Sequence, residues 1–455
     1  MKNSKWGKYN LTTITPVFIG SDKGSDLSKT TDFIVDGNKI SIIDQRKFEA
    51  LLSNNIKLID EFVSEIKSNP RSFDLQNFIE NKLNASVSEL TKTTIDVDGY
   101  LSSNSVNTFI TSNGKHFIPG STIKGGIRTA LLYNYLNYFQ EGKQIIDNLL
   151  KTSNRNYSDF QKLVEIKNSR RFSESEFKRF KVLEKSKNNE KAFSKIYNEF
   201  NLFQDSASGH DFRHILINDS EKIEPSDTKI TELPRTYLIK DRDKTSQWKQ
   251  VLKENITTQF LMKVEEDFKD SFLAILNSNS EESLIRFINT FSKDVIDFEL
   301  DMYKEFSQKK EITKKLNAAI DFYKWLKNII EKSNNKFAVM RIGGGKTYFD
   351  NSIGLALFKK DKEGFKNFRK LLGLWKHWDR SFVEENSPIT RTYYVKEDQL
   401  LPIGWTIIYK DELPTVFNKL ISIKNKSDYT SNKDVGDDGK VDVSKLKKLG
   451  RISKL

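Results

Sequence analysis

Apolar positions alternate in some segments of the chain and recur at helical spacing in others. Near the N-terminus, KYNLTTITPVFIG (residues 8–20) alternates as a strand does, and TDFIVDGNKISIID (residues 31–44) predicts a hairpin that turns at Asp36-Gly37. From Gln45 to about Leu90, apolar residues return every three or four positions, with Pro70 as a breaker. The chain is therefore expected to begin with a small sheet, and these helices should cover one of its faces.

Further strand-like segments follow, interrupted by two blocks with a helical pattern. The strand-like segments are RHILINDS, TKITELPRTYLI, TTQFLMKVEED, FAVMRI and LLPIGWTIIYKDE. The helical blocks, Lys143–Phe203 and Asp267–Ser333, have charged faces and are interpreted as insertions. Strands interrupted by helices once in each half predict an α+β fold with two units of largely antiparallel sheet. The units are expected to join near residues 205–225, which gives domains at 1–210 and 211–420.

The charge of the chain points to a polyanionic partner. Residues 419–455 contain ten Lys or Arg against five Asp and few large apolar groups, so residues 421–455 are predicted to be a mobile basic tail. All 455 residues together carry 75 Lys and Arg against 62 Asp and Glu, a net charge of +13. Nucleic acid is the first candidate for such a partner.

Composition excludes several kinds of chemistry. The chain has no cysteine, which removes disulfides, iron-sulfur clusters and cysteine nucleophiles, and its four histidines leave little for a histidine-rich metal centre. No apolar run approaches the ~18 residues that a membrane-spanning helix needs. The N-terminus also lacks the apolar core of a signal peptide. We therefore expect a cytoplasmic protein that contacts no membrane and holds neither metal nor cofactor.

The stretch MRIGGGKTYFD (residues 340–350) places three glycines before Lys346 and Thr347. The phosphate-binding loop of NTPases needs another glycine five positions before the last one, where this chain has Met340, so an NTPase is disfavoured. Glycines do allow a backbone to approach another group closely with its N–H groups exposed, which suits a phosphodiester. A tight turn between a strand and a helix is an equally open interpretation.

A second glycine-containing stretch is HFIPGSTIKGGIRTALLYNYLNYF (residues 116–139). Ser121 or Thr122 is expected to cap the helix that follows. Lys124 and Arg128 are one helical turn apart, so both project to the same side near a helix N-terminus, which favours anions. The arrangement predicts phosphate binding, with solvated surface charge as the alternative.

These motifs also carry a family resemblance. IPGSTIKGGIRTAL, taken with LTTITPVFIGS, resembles the RAMP superfamily of CRISPR proteins. The order of the later motifs, HDFRHILINDS, MRIGGGKTYFD and PITRTYYVKEDQLLPIGW, is similar to the family that forms the fifth subunit of the Csm complex, the type III-A effector. The resemblance implies two ferredoxin-like domains that bind the 3′ part of the CRISPR RNA (crRNA), support its maturation and cap the row of backbone subunits without catalysis.

The resemblance implies partners and binding positions as well. The partners are crRNA and the other Csm subunits, above all the backbone RAMP subunit, and recruitment of host nucleases is left open. The family's first glycine-rich loop maps to Thr15–Gly20, where Phe18 replaces a His found in many relatives, so that any polar role there is lost. The RNA-binding residues predicted by position are Gly20, Ser121, Lys124, Arg128, Arg213, Arg341, Gly343, Gly344, Gly345, Lys346 and Arg391. For each of them, contact with RNA phosphate and a contact between domains remain alternatives.

Two other hypotheses remain. One is a metal-dependent ribonuclease, suggested by the pattern of His210, Asp211 and His214. A strand would separate the two histidines by roughly 13 Å, which is too far for them to share one metal. A purely structural capping protein is the third hypothesis. The preferred interpretation is a non-catalytic RNA-binding subunit that contacts mainly the phosphate backbone, since a guide-binding protein must accept any spacer sequence.

Overall fold

The computed structural model describes the chain over ten ranges. They are residues 6–21, 25–53, 55–68, 72–151, 153–154, 214–238, 243–264, 280–309, 316–371 and 389–412. The predicted tail at 421–455, most of the first predicted insertion and the beginning of the second lie outside these ranges.

The described strands are short, and most of them are antiparallel to their neighbours. In chain order they are β1 (Gly7–Thr13), β2 (Leu27–Ser28), β3 (Phe33–Asp36), β4 (Lys39–Ile43), β5 (Thr91–Val97), β6 (Ser105–Val106), β7 (Thr111–Ser112), β8 (Lys115–His116), β9 (Ile215–Ile217), β10 (Thr228–Tyr237), β11 (Asp243–Leu252), β12 (Thr257–Val264), β13 (Phe337–Arg341), β14 (Thr390–Lys396), β15 (Gln399–Pro402) and β16 (Trp405–Tyr409). The predicted hairpin is confirmed, because β3 and β4 pair across a turn in which Gly37 has a φ of +57°.

A five-stranded sheet has the order β13-β16-β1-β12-β9, and each neighbouring pair in it is antiparallel. The N-terminal strand is central: Asn10 pairs with Gln259 on one side and with Tyr409 on the other. A seven-stranded sheet has the order β15-β14-β10-β5-β4-β3, and β11 also pairs with β10. β5 and β10 form a parallel pair within it.

The described helices pack on these sheets or on one another. They are α1 (Gln45–Ser53), α2 (Ile56–Ser68), α3 (Leu75–Asn81), α4 (Val87–Leu90), α5 (Gly120–Tyr138), α6 (Ser280–Lys309), α7 (Asn317–Glu331), α8 (Gly354–Lys360) and α9 (Lys362–Leu371). Residues 140–151 are helical too, and Pro225–Asp227 form a 3₁₀ turn. Phe48, Leu75 and Phe78 form one buried cluster with Ile34 and Ile43 of the hairpin, so the early helices cover a face of the sheet as predicted.

Polar side chains fix α6 to the five-stranded sheet. Asn289 donates to the Phe337 carbonyl at 2.9 Å, and Ser292 donates to the Val339 carbonyl at 2.6 Å. Both side chains are buried, and satisfying these backbone groups inside the core avoids the cost of an unpaired polar atom. This helix belongs to the second predicted insertion, which therefore forms part of the core instead of standing apart from it.

The predicted boundary at residues 210 and 211 does not separate the sheets. The five-stranded sheet combines β1 with four strands from beyond residue 210, and the seven-stranded sheet combines β3, β4 and β5 with four later strands. The chain up to residue 412 groups as one compact unit. A boundary along the sequence fails here because the first and last described strands lie side by side in one sheet, which hydrophobic patterns within short windows do not reveal.

Candidate nucleic-acid interface

Several loops meet at one edge of the five-stranded sheet. β1, β9 and β13 are each separated by one antiparallel strand from the next, so they run in the same direction and their C-terminal ends share an edge. We call this the loop edge. The segments that follow these strands there are residues 14–20, 218–220 and 342–347. The stretch with three glycines therefore lies at this edge, and the second glycine-containing stretch lies against it, because a Cβ at Gly126 would be 2.8 Å from the Met340 sulfur.

The helix α5 begins at the loop edge, but its start differs from the prediction. The helix begins at Gly120, whose N–H donates to the Asp219 carboxylate at 2.8 Å. Ser121 and Thr122 therefore lie inside the first turn, and the prediction that one of them caps the helix is wrong. A Cβ at Gly120 would lie 2.5 Å from the Ile217 carbonyl oxygen, so the glycine allows the helix to start directly against β9.

Lys124 and Arg128 lie on α5 one turn apart, as predicted, and both are half-buried. Burial lowers the pKa of Lys124, and the neighbouring positive charge of Arg128 lowers it further. The inward face of this part of the helix holds the buried Ile123 and Ile127. Gly126 faces the sheet, where a Cβ would lie 2.8 Å from the Met340 sulfur, so its small size lets α5 pack closely on β13.

The three glycines bring two loops into backbone contact. The Gly344 N–H donates to the Phe18 carbonyl at 2.7 Å, which joins the loop after β13 to the loop after β1. Gly343 has a φ of +68°, and a Cβ there would collide with the same carbonyl oxygen. Gly404 completes the junction by donating to the Pro16 carbonyl at 2.8 Å. The close approach that three glycines permit thus occurs between two segments of this chain.

Arg341 is buried beneath this junction and stabilises it by hydrogen bonds. Its guanidinium donates to Asp350, to the Ile403 carbonyl and to the Gly345 carbonyl, each at 2.8 Å. Burial disfavours the charged form, but Asp350, together with Tyr323 and Glu299, outweighs that cost and raises the pKa of Arg341. With 6% of its surface exposed, Arg341 fixes the loop instead of facing solvent. Lys346 is half-buried beside it, and burial lowers the pKa of Lys346.

Other predicted residues lie elsewhere. Arg391 is on β14 of the seven-stranded sheet and donates to the buried Glu299 carboxylate of α6. The geometry of Arg391 favours a contact between chain segments over contact with RNA. Arg213, His210 and Asp211 lie outside the described residues. Within the described ranges, no group of three or more His, Asp or Glu is placed to hold a metal ion.

The sequence interpretation assigned no role at the loop edge to Asp219 or Lys249, and it treated Phe18 only as a position that had lost a polar role. Asp219 holds the α5 start, Phe18 accepts from Gly344, and Lys249 of β11 places its Nζ 4.3 Å from the centre of the Phe18 ring. Asp219 carried a weak signal, because an Asp side chain is a common acceptor for backbone N–H groups in turns. Lys249 carried none, since its partners are distant in sequence.

The described part of the chain contains no helix with both the length and the apolar character that crossing a bilayer requires.

Comparisons with known proteins agree on one group. The family model described as the RAMP superfamily matches residues 10–379. A protein of Methanocaldococcus jannaschii described as "CRISPR system Cms protein Csm5" is 26% identical over 421 residues, which are 86% of each chain. 

Two solved structures share the fold of mixed helices and sheets. A chain of a Csm–crRNA–target RNA ternary complex from a type III-A CRISPR-Cas system has a TM-score of 0.59 at 19% identity, covering 88% of this chain and 100% of its own. The crystal structure of Csm5 from T. onnurineus has a TM-score of 0.56 at 18% identity, covering 88% and 99%.

Proposed function

The chain belongs to the RAMP superfamily, and on that basis we propose that it is a non-catalytic, crRNA-binding subunit of a type III-A CRISPR effector. In this role it caps the row of backbone subunits at the 3′ end of the guide and supports guide maturation in the cytoplasm. The observation that carries the proposal is the similarity to Csm5, which extends over 86% of both chains and is therefore not confined to one shared domain.

The order of elements in the five-stranded sheet supports a ferredoxin-like unit. The chain passes through β1, α5, β9, β12, α6 and β16, which is the β-α-β-β-α-β order of that fold. In the sheet, these strands lie in the order β16-β1-β12-β9, with β13 added outside β16. We therefore assign one ferredoxin-like unit to this sheet and the second to the seven-stranded sheet, each assembled from both halves of the sequence.

The loop edge suits binding to phosphates regardless of base sequence. Lys124 and Arg128 place two positive charges on one side of α5, and Gly20 is exposed at the end of the first loop. Cations that contact phosphates add affinity without reading bases. A subunit that holds the 3′ end of guides with different spacers needs this kind of contact.

Ultraviolet crosslinking tests the proposal. The tagged chain is co-expressed with the other complex subunits and a CRISPR array, and the RNA bound to this chain is crosslinked, sized and sequenced. We expect crosslinks near the 3′ end of the guide and peptides from residues 14–20 and 120–128. An intact complex without crosslinks to this chain would favour a purely structural cap and overturn the RNA-binding assignment.

A second measurement separates binding from catalysis. The purified chain is incubated with crRNA precursor, with and without EDTA. We expect no cleavage in either case. EDTA-sensitive cleavage that is lost in a His210→Ala variant would overturn the non-catalytic assignment and establish the ribonuclease alternative.

A further inference from the structure

Lys249 brings a positive charge from the seven-stranded sheet to the loop edge. It lies on β11, where it pairs with Thr231 and forms an isolated bridge with Asn107. Its Nζ lies 4.3 Å from the centre of the Phe18 ring, which belongs to the loop after β1. The two sheets therefore meet at this contact between a lysine and an aromatic ring.

The Phe18 ring is enclosed by the loop after β1, to which it belongs, and the loop after β13. A Cβ at Gly344 would lie 3.0 Å from the ring, and one at Gly20 would lie 3.4 Å from it. The absence of side chains at these two positions leaves the ring half-buried, with Lys249 over it. The ammonium group is thus placed where the two loops come together.

The backbone of Gly20 adds a hydrogen-bond donor next to the ring. Gly20 bridges to Phe109, and the hydrogen bonds of this bridge are made by the flanking residues: Ile110 N–H donates to Ile19, and Ser21 N–H donates to Thr108. In an antiparallel pair of this kind, the N–H of the central residue points away from its partner strand. Gly20 is exposed, so its N–H faces outward.

The charge of Lys249 is incompletely neutralised. Among the described residues, no hydrogen bond or ion pair involves its Nζ, which lies over the ring of Phe18. Burial lowers the pKa of Lys249, while the charge of Asp26 opposes that effect from a distance. Asp26 is itself held by the side chain of Asn107, which donates to its carboxylate at 2.8 Å. An anion placed over Lys249 would supply the missing partner.

We propose that Lys249, held over the Phe18 ring beside the exposed N–H of Gly20, forms a subsite for one phosphodiester group of the bound RNA. The inference rests on the proposed function and adds a residue from β11, remote in sequence from the Lys124 and Arg128 pair. The ring holds the ammonium group in place, and the ammonium group and the Gly20 N–H bind phosphate oxygens. A charge-assisted hydrogen bond to phosphate does not depend on the base sequence of the RNA.

Two substitutions separate a binding role from a packing role. Lys249→Met keeps an unbranched apolar stem on the Phe18 ring and removes the charge, whereas Lys249→Arg keeps the charge. Lys57→Met on the exposed face of α2 is the matched control for loss of one positive charge. The full-length chain, free and within the co-expressed complex, is titrated with single-stranded RNA of the guide's 3′ sequence over a series of KCl concentrations.

We expect Lys249→Met to reduce the slope of log K against log salt by about 0.7, the value for one lost phosphate contact on a single strand. Lys249→Arg and Lys57→Met should keep the wild-type slope. A lower Tm for Lys249→Met with an unchanged slope would show that Lys249 only packs against Phe18 and would overturn the subsite. If the double variant Lys124→Ala with Arg128→Ala still lowers the slope, the proposed function stands without the Lys249 subsite. Failure of wild-type protein and complex to bind the RNA would overturn both.

Discussion

Arg391 and Glu299 form a buried ion pair in which the Arg391 Nε lies 2.9 Å from one carboxylate oxygen of Glu299 and 2.7 Å from the other. The two side chains are 2% and 1% exposed. Burial disfavours the charged guanidinium, but Glu299 outweighs that cost and raises the pKa of Arg391. The pair joins β14 of one sheet to α6, which packs on the other.

Removing one member of this pair should destabilise the protein strongly. Arg391→Met leaves the Glu299 carboxylate buried without its partner, which typically costs roughly 3–5 kcal/mol of unfolding free energy. Urea denaturation measures the loss. The double variant Glu299→Leu with Arg391→Met should recover most of it, because no isolated charge remains. Wild-type stability of Arg391→Met together with weaker RNA binding would instead place Arg391 at the RNA, as the family resemblance implies.

Neutralising the two cations of α5 should weaken RNA binding for all sequences alike. Lys124→Ala with Arg128→Ala removes two phosphate contacts, so the slope of log K against log salt should fall by about 1.4. Filter binding with several unrelated RNAs over a salt series measures this slope. The control, Lys57→Ala with Lys67→Ala, removes the same charge from the exposed face of α2. Equal decreases of the slope in both double variants would show that the effect depends on net charge and not on the position of Lys124 and Arg128.

A side chain at Gly343 should open the junction between the two loops. Gly343→Ala imposes a φ of +68° on an L-residue and drives its Cβ into the Phe18 carbonyl, which we expect to cost roughly 1–3 kcal/mol of unfolding free energy. Gly125→Ala is the matched control, because a Cβ there meets nothing within 4 Å. Gly125 lies inside α5, so its replacement should stabilise by roughly 0.5–1 kcal/mol. Thermal unfolding that ranks the two variants in the opposite order would contradict this account.

The cap of α5 can be tested by a pair of alanine substitutions. Asp219→Ala removes the acceptor for the Gly120 N–H and should lower the unfolding free energy by about 1 kcal/mol. Ser121→Ala should change it by less than about 0.5 kcal/mol, because Ser121 is an exposed residue inside the first turn. A larger loss of unfolding free energy for Ser121→Ala than for Asp219→Ala would show that Ser121 caps the helix.

Local patterns in the sequence predicted many of the elements. The Asp36-Gly37 hairpin and the helices after Gln45 follow from turn chemistry and helical spacing, and the structure has both. The strand β11, DKTSQWKQVL, was not predicted because polar residues occupy most of its positions. The segment LLPIGWTIIYKDE was expected to be one strand, yet Gly404, with a φ of +88°, divides it into β15 and β16.

The candidate site was predictable only in part, for a similar reason. Gly343 and Gly344 carry a local signal, and so does the one-turn spacing of Lys124 and Arg128. What the glycines contact depends on tertiary structure: Gly344 meets Phe18, more than three hundred positions earlier. The burial of Arg341 could not be predicted from the sequence either, because an arginine followed by glycines is typical of both exposed loops and ion-paired cores.

The central position of β1 has a consequence for synthesis of the protein. Asn10 leaves the ribosome nearly four hundred residues before its partner Tyr409. At roughly 5–20 residues per second, the first strand waits for tens of seconds before its second neighbour exists. During that time β1 has an unpaired edge, which is a site of aggregation. We therefore expect a nascent chain of this protein to expose an unpaired strand edge for longer than one whose domains close in the order of translation.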